Sequence, residues 1–297
     1  MAARDKSPGI LGDRLVRLAS LAALVAGVSI MVFISLFIIR EAYPALSGGV
    51  LRYLFTDPWT PLATPPRFGI VHALVSTVMI TALSLSLSVP LGLGIGIFIA
   101  EVAPRIVKTI VRPCIDLLAG IPSVVYGFFG YATLLPWFEK NFTMATGESI
   151  LLASLVLSIM ALPYVASTSA EAFNAVPHNI KHAALSCGVT RWYVIRRVVI
   201  PHSLSGMFIA VALGFARAIG ETLAVLMLTG NSVAVPTSVM ERGQPLTALI
   251  ATELGEAGVG SDKYHALFAA GLVLLILTVV INAGIWAVKT RLIRHAS

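Results

Sequence analysis

The stretch that decides the fold is SILLASLVLSIMALPYVASTSA, residues Ser149–Ala170, which carries no Asp, Glu, Lys or Arg. An α-helix needs about 20 mainly apolar residues to cross the roughly 30 Å hydrocarbon core of a bilayer. Charge-free runs of similar or greater length lie at Ala19–Ile39, Phe68–Ala100, Leu117–Phe138, Val198–Ala216 and Tyr264–Val288. The sequence therefore predicts an all-α polytopic membrane protein with about six transmembrane helices.

The composition supports this fold class and excludes others. Of 297 residues, 57% are hydrophobic and 12% are charged, whereas a soluble domain carries about 25% charged residues. A soluble enzyme or a disordered chain has no means of covering so much apolar surface. A β-barrel is excluded as well, because its strands alternate over segments of about 10 residues and do not remain apolar for about twenty.

The positions of the 21 Lys and Arg residues predict the orientation of the chain. With the N-terminus inside, 14 of them fall in cytoplasmic segments and five fall outside: Arg52, Arg67, Lys140, Arg242 and Lys263. Cytoplasmic loops of membrane proteins carry the excess of basic residues, so both termini are expected in the cytoplasm. The net charge of +7 then reflects topology, and no nucleic-acid partner is expected.

Two charged residues interrupt the fifth apolar run. To complete a crossing, this span has to continue past Arg217 and Glu221 to about Leu228. The spacing of four places both side chains on one helical face, within pairing distance. A charge at the bilayer centre costs at least about 2.5–3.5 kcal/mol, so charged residues are retained there only when they are paired or functional. The pair is therefore either a static latch that holds helices together or part of a functional site. In the second interpretation the planar donor fork of Arg217 lines an anion path, and Glu221 keeps the anion from binding too tightly.

The third span contains two further candidate residues. Asp116, near its cytoplasmic end and close to Arg112, is either a capping carboxylate or part of a transport path. Pro122 lies between Gly120 and Gly127 and predicts a local break in the helix. Broken helices are tolerated at membrane depth where they line a cavity or pack against protein, and the sequence leaves both interpretations open.

Proline and glycine predict irregularities elsewhere. Pro90 is expected to interrupt and kink the second span, and the GxGxG string at 92–96 predicts close approach to another helix. The Pro-rich external segment 41–67 is expected to form a loop or short interfacial helices rather than a strand. The external segment 231–262 is compatible with either a loop that faces a partner or a partly re-entrant loop.

The cytoplasmic loop of residues 171–203 has the pattern of two helices. Pro177 suits a first helical turn, Gly188 ends that helix, and Thr190 caps a second, basic helix that ends before Pro201. The first helix carries a small apolar face that consists of Ile180, Ala183, Ala184 and Cys187. An apolar helix face exposed to the cytoplasm predicts docking onto another protein.

Catalytic and metal-binding motifs are absent from the sequence. It has no HExxH and no GxSxG, and because no Lys follows a Gly it lacks the phosphate-binding P-loop. His178 and His182 are four residues apart but lack the further ligands of a zinc site. We therefore expect a protein that is not an enzyme and holds no metal or cofactor. If ATP drives it, another chain must bind the ATP.

The cytoplasmic loop resembles the docking loop of permease subunits from bacterial ABC importers, which is written EAAxxxG, nine residues, then IxLP. This chain has HAALSCG at 182–188, nine further residues, and VVIP at 198–201. The resemblance implies ATPase coupling by His182, Ala183, Ala184, Gly188 and Pro201. Histidine stands where the family has glutamate, so the docking role is expected without a contact specific to that glutamate.

Most of residues 67–230 resembles the phosphate-specific (Pst) ABC permeases, closest to their C-type subunit. The matching strings are RFGI at 67–70, SVPLGLG at 88–94, AGIPSVVYG at 119–127 and ARAIGET at 216–222. The resemblance implies a type I ABC importer permease fold over residues 68–290. A cytoplasmic tail, the first transmembrane helix and an external loop (1–67) precede this domain, and a cytoplasmic tail (291–297) follows it.

The function that the resemblance implies is the permease subunit of an ATP-driven importer of inorganic phosphate in the bacterial cytoplasmic membrane. In this family the residues that match Arg217 and Glu221 are implicated in the phosphate path. The implied partners are an A-type permease, two ATPase subunits and an external phosphate-binding protein. Alternatives are a permease for sulfate, molybdate or phosphonate, an ion-coupled transporter in which Glu221 relays a proton, and a non-transporting scaffold or sensor.

Overall fold

The computed structural model describes residues 10–47, 54–56, 58–142, 144 and 146–294. Positions 1–9 and 295–297, which belong to the predicted cytoplasmic tails, lie outside the described residues, and so does Arg52. Helices dominate the described chain, which confirms the predicted all-α class.

The described α-helices are α1 Ile10–Ser47, α2 Val71–Ile97, α3 Arg105–Gly120, α4 Ser123–Phe129, α5 Leu135–Phe142, α6 Ile150–Asn174, α7 His178–Ser186, α8 Arg191–Val194, α9 Ile200–Ile219, α10 Leu223–Leu228, α11 Leu246–Glu253 and α12 Asp262–Arg294. Wider π turns occur at π1 Phe98–Val102, π2 Gly130–Leu134 and π3 Ile195–Val199, and a 3₁₀ turn occurs at Leu254–Glu256. Two short strands, β1 Trp59–Thr60 and β2 Arg67–Phe68, pair antiparallel.

Five helical segments of the described chain are long and apolar enough to cross a membrane. They are Arg14–Ser47, Val71–Val102, Ile150–Asn174, Arg191–Ile219 and Asp262–Leu292. A sixth arises when α3 and the following segment Ser123–Phe142 count as one broken span. The described residues therefore form five to six candidate spans, in agreement with the predicted number.

The third span is bent at the position that the sequence predicted. Helix α3 ends at Gly120, and the helical axis turns by 93° before the next helix begins at Ser123. Ile121 is extended, with φ −68° and ψ 128°, as expected for a residue that precedes proline. Pro122 occupies the N-cap position of α4. The apolar run Leu117–Phe138 is thus divided between helices that point in different directions.

Helix α6 forms the centre of the molecule. In its most apolar window 67% of the residues are buried, against 28% for the span that contains α2. Both α2 and α9 approach it closely: a Cβ added to Gly92 would lie 2.7 Å from Val165 Cβ, and one added to Gly214 would lie 2.6 Å from Val165 Cγ2. Gly96 meets Ser169 in the same way. The predicted close approach is confirmed for the first and third glycines of GxGxG, whereas the middle one faces open space.

Prolines lie inside or next to several helices. Helix α2 continues through Pro90, so the predicted interruption at that residue is wrong. Each of the three π turns ends two residues before a proline: Pro104, Pro136 and Pro201. At Pro136 and Pro201 the helix continues, and a wider turn relieves the collision of the proline ring with the carbonyl four residues back, whereas at Pro104 the helix has already ended. The basic helix predicted to end before Pro201 therefore continues through π3 into α9.

The segment 41–67 contains regular structure that the sequence did not predict. Helix α1 extends to Ser47, and β1 pairs with β2 in a small hairpin. The prediction of a loop or interfacial helices in place of a strand is therefore wrong for this part of the chain. The pairing brings Trp59, which is buried, edge to face with Phe68 at 5.7 Å. Burial of this aromatic pair stabilises a turn that has few other apolar residues.

The segment 231–262 contains a packed helix. Within it lies α11, whose Leu246 and Leu249 are fully buried. They belong to one apolar cluster with Ala266 and Ala270 of α12. This part of the segment is thus a folded element held against the last span, whereas the sequence left a loop and a re-entrant segment open.

Helix α1 stands at the periphery. None of the residues in its most apolar window is buried within the described chain. It packs along α12, where Phe37 meets Phe268 edge to face at 5.6 Å. A helix that is apolar on nearly every side and exposed in this way is suited to contact with lipid.

Candidate functional site

The intramembrane ion pair lies at a break in the fifth span. Helix α9 ends at Ile219 and α10 begins at Leu223, with Gly220, Glu221 and Thr222 between them. Glycine has low helix propensity, and Gly220 occupies the C-cap of α9. The prediction of one continuous helix to about residue 228 is therefore wrong. The predicted contact between positions 217 and 221 is nevertheless present, and it joins the end of α9 to the break.

Glu221 is held at both of its carboxylate oxygens. Arg217 Nη1 donates to Glu221 Oε2 over 2.6 Å. The backbone N–H of Ala224, in the first turn of α10, donates to Glu221 Oε1 over 3.3 Å. The Thr247 hydroxyl of α11 donates to the backbone carbonyl of Glu221 over 2.8 Å. The carboxylate side chain is only 3% exposed, so these contacts fix a negative charge inside the protein.

Arg217 remains accessible although its partner is buried. Its side chain is 28% exposed. A guanidinium carries five N–H donors, and the described hydrogen bond to Glu221 uses one of them. Its Cζ lies 5.9 Å from the centre of the Tyr164 ring, near the outer limit for a cation–π contact. The arrangement therefore presents an oriented, half-neutralised cation at a break in a transmembrane helix.

Two tyrosines connect this region to the bend in the third span. The Tyr164 hydroxyl donates to the carbonyl oxygen of Ala119 over 3.2 Å, and the Tyr126 hydroxyl donates to that of Leu118 over 2.9 Å. Both carbonyls belong to the last turn of α3. Our sequence reasoning missed both tyrosines because each lies in an apolar run without a charged neighbour. The available signal was a hydroxyl-bearing aromatic beside a proline, as in Pro163-Tyr164.

Asp116 and Pro122 occupy a different part of the molecule. Asp116 lines a cavity of about 190 Å³ together with Arg112 and Glu171. A more open cleft is lined by both Asp116 and Pro122. No hydrogen bond or ion pair within the described residues joins either of them to Arg217. The structure thus places these two secondary candidates along α3 and just beyond its end, and of the two only Asp116 shares a cavity with an arginine and a second carboxylate.

The loop residues that the resemblance assigned to ATPase coupling lie at the surface. His182, Ala183, Gly188 and Pro201 are exposed, and Ala184 is half-buried. Gly188 follows the end of α7 with φ +78°, a left-handed conformation that favours glycine. Thr190 Oγ1 accepts from the backbone N–H of Tyr193 over 3.3 Å, which is the predicted cap of the second helix.

Two exposed aromatic side chains follow the apolar face of α7 in the same loop. Trp192 and Tyr193, at the start of α8, are 65% and 52% exposed. We define the coupling surface as Ile180, Ala183, Cys187, Trp192 and Tyr193. Large aromatic residues are enriched at protein interfaces, so the surface has the chemistry of a docking site. The sequence reasoning missed its aromatic part because it considered only the face of the first helix.

On its buried side, α7 is tied to the membrane helices by Lys181. Its ammonium lies 2.5 Å from Glu101 Oε1 and donates to the carbonyl oxygen of Phe173 over 3.0 Å. Glu101 belongs to π1 at the end of the second span, and Phe173 to the last turns of α6. The sequence reasoning missed this contact because Lys181 and Glu101 are 80 residues apart. Lys181 thus links α7, which carries part of the coupling surface, to the ends of the second span and of α6.

Comparison with known proteins identifies the family. Residues 92–294 match the family described as the binding-protein-dependent transport system inner membrane component. The chain belongs to this family. Its members are transport subunits of the inner membrane, so this chain is a multi-pass permease rather than an enzyme.

Curated relatives narrow the family further. A probable ABC transporter permease protein, YqgH of Bacillus subtilis, is 35% identical over 271 residues, covering 91% of this chain and 87% of the relative. The phosphate transport system permease protein PstC of Mesorhizobium japonicum is 31% identical, covering 85% and 81%. PstC of Haemophilus influenzae is 31% identical, covering 81% and 80%. The chain is therefore a PstC-type permease of this family.

Solved structures show the fold. A bacterial ABC transporter involved in the import of alginate matches with a TM-score of 0.57 at 15% identity, covering 94% of this chain and 99% of that one. The inward-facing MetNI methionine ABC transporter matches with a TM-score of 0.55 at 18% identity, covering 77% and 96%. The predicted type I ABC importer permease fold is confirmed. Membership implies an ATPase, a substrate-binding protein and a second permease as partners.

Proposed function

We propose that this PstC-type permease translocates inorganic phosphate as one of two permease subunits of an ATP-driven importer. Several relatives at 31% identity carry the name of phosphate transport system permease, which supports phosphate as the substrate. The observation that carries the proposal is the accessible Arg217 guanidinium, held beside the buried Glu221 carboxylate at a break in a transmembrane helix.

The arrangement suits transient contact with an oxyanion. A guanidinium offers charge-assisted donors that replace part of the water lost by an anion at membrane depth. A transport site must also release its ion, so binding has to be moderate. Glu221 provides that moderation, because it neutralises part of the charge of Arg217 while its own oxygens are occupied by Arg217 and the Ala224 N–H.

The remaining parts of the proposal concern the partners. Two ATPase subunits bind and hydrolyse ATP, and one of them docks on the coupling surface, while this chain holds no cofactor of its own. An A-type permease completes the pore, and an external phosphate-binding protein delivers the anion from the other side. Both termini lie in the cytoplasm, in accordance with the excess of Lys and Arg in the segments assigned to that side.

A series of hydrogen bonds and packing contacts connects α7 to the helix that carries Arg217. Movement of α7 pulls on Glu101 and Phe173 through Lys181, and these residues belong to the ends of the second span and of α6. Helix α6 packs directly against α9, which carries Arg217. A displacement of α7 is thus transmitted through close-packed helices to Arg217 and Glu221. In the proposed cycle, this movement exposes the ion pair alternately to the two sides of the membrane.

Alanine at position 217 tests the proposal. In the reconstituted complex we expect Arg217→Ala to lower ATP-driven phosphate uptake by about ten- to a hundredfold, because a charge-assisted contact to the anion is lost. Arg217→Lys should retain part of the activity, since it keeps the charge but not the donor fork. Lys263→Ala, which breaks the ion pair between Lys263 of α12 and Glu253 of α11, is the matched control. Uptake by Arg217→Ala equal to that of the control would remove Arg217 from the path.

The same assay separates the alternatives for substrate and energy source. We expect unlabelled phosphate to compete with labelled phosphate, and sulfate, molybdate and phosphonate to compete poorly. Stronger competition by one of those anions would change the substrate but keep the ABC mechanism. Uptake that collapses with the proton gradient but survives removal of the ATPase would favour a proton relay through Glu221 instead.

A further inference from the structure

The bend in the third span creates an unmet requirement for hydrogen bonds. The last carbonyl groups of an α-helix have no partner within the helix, and in a membrane each unsatisfied polar group is costly. Helix α3 ends at Gly120, and the chain then turns by 93°, so the carbonyl of Ala119 needs a partner from elsewhere, whereas that of Leu118 accepts a long bond of 3.4 Å from the Ile121 N–H. Their oxygens also carry the negative end of the helix dipole, which opposes the approach of an anion.

Two tyrosine hydroxyls from different helices meet this requirement. Tyr126 of α4 donates to the Leu118 carbonyl over 2.9 Å, and Tyr164 of α6 donates to the Ala119 carbonyl over 3.2 Å. Both tyrosines are at least partly buried, so each hydroxyl replaces a partner that water is poorly placed to provide. The bend is thus held by two side chains in addition to the backbone hydrogen bond from Ile121 to Leu118.

One of these tyrosines also contacts the guanidinium at the ion pair. The Tyr164 ring centre is 5.9 Å from Arg217 Cζ, while its hydroxyl binds the end of α3. The face of one ring therefore orients the cation, and its edge fixes the broken span beside that cation.

We propose that Tyr164, supported by Tyr126, is a positioning residue of the anion path. It holds the Arg217 guanidinium toward the path and shields the carbonyl of Ala119 from the passing anion. This inference rests on the proposed function, because it assigns Tyr164 a role at the same site. It predicts that the ring and the hydroxyl of Tyr164 contribute separately to the apparent affinity for phosphate.

The experiment compares conservative tyrosine variants in the complete reconstituted transporter. Initial rates of ATP-driven uptake are measured against phosphate concentration, and rates are normalised to the assembled complex. We expect Tyr164→Phe to raise KM by about three- to tenfold at a nearly unchanged maximal rate, because one buried hydrogen bond is lost. Tyr164→Leu, which also removes the ring, should raise KM further. Tyr126→Phe should have the smallest effect, since Tyr126 has no described ring contact with Arg217.

The control is Tyr43→Phe, which makes the same chemical change at an exposed position of α1. Unchanged KM in both Tyr164 variants, together with loss of uptake in Arg217→Ala, would overturn the positioning role and leave the proposed function intact. A fall in maximal rate alone would also overturn it, because that result indicates a purely structural residue. Normal uptake by Arg217→Ala would instead contradict the proposed function. If Tyr164→Leu does not assemble, Tyr164→Phe decides, because it retains the volume of the ring.

Discussion

Two ion pairs of this permease differ in how the chain brings them together. Arg217 and Glu221 are four residues apart, at the end of one helix and in the break that follows it. Lys181 and Glu101 are 80 residues apart, and they join α7 to the end of the second span. A local spacing is enough to create the first pair, whereas the second exists only once the helices have packed.

The two pairs also differ in exposure, and this indicates different roles. In the first pair the cation is 28% exposed and the carboxylate 3%, so a ligand has access to the guanidinium. In the second pair the side chains are 9% and 14% exposed, and the ammonium also donates to the Phe173 carbonyl. An accessible cation with a hidden counter-ion suits an anion path, whereas two hidden charges suit a mechanical connection.

The largest loss of stability is expected when one member of the pair Lys181–Glu101 is replaced. Lys181→Met or Glu101→Gln alone should lower the free energy of unfolding by about 3–5 kcal/mol, because the remaining polar partner is left buried without its counterpart. The double variant should recover part of the loss, since no uncompensated charge remains. The measurement is the folded fraction of the chain during titration with a denaturing detergent.

Unchanged stability of the single variants would show that the contact between Lys181 and Glu101 contributes little to folding. If both single variants unfold at the same detergent concentration as the parent chain, Lys181 and Glu101 are not coupled, and the force route through α7 loses its first step. The exchanged pair, Lys181→Glu with Glu101→Lys, provides a further control. It keeps both charges and should be more stable than either single reversal.

A smaller effect is expected at the helix contact that lies between the two pairs. Gly96→Ala should cost about 1–3 kcal/mol, because a Cβ at this position overlaps Ser169 of α6. Gly94→Ala is the matched control two residues away, and it meets no atom within 4 Å. We expect it to be neutral or slightly stabilising, since alanine favours helix more than glycine does. The same detergent titration compares them, and equal losses would contradict the close packing of α2 on α6.

The smallest effect is expected at the third ion pair, which serves as a calibration. Lys263 Nζ lies 2.6 Å from Glu253 Oε2, with side chains that are 18% and 25% exposed. Lys263→Ala should therefore cost only about 0–1 kcal/mol, because solvent and salt screen a pair that is partly accessible. The loss should also diminish in high salt. A cost as large as that of Lys181→Met would show that exposure does not distinguish the pairs in this protein.

Predictions from the sequence succeeded where a short window carried the information. The apolar runs, the break at Pro122, the cap at Thr190 and the contact between Arg217 and Glu221 each depend on residues within about one or two helical turns, or on the ~20-residue length of a span. Predictions of continuity were less successful. The fifth span breaks after Gly220, whereas the basic helix continues past Pro201, because neighbouring packing and a π turn outweigh local propensity.

The sequence by itself determined that this chain is a helical membrane protein, because unpaired backbone groups in lipid leave long apolar runs no other structure than helices. It also determined the helix–glycine–helix pattern of residues 171–203 and the spacing of Arg217 and Glu221. Only the tertiary structure decided that Lys181 meets Glu101 and that Tyr164 lies between Arg217 and the bent third span. Such contacts depend on how close two helices approach, and that distance is set by side chains far apart in the chain, as Gly92 and Val165 show.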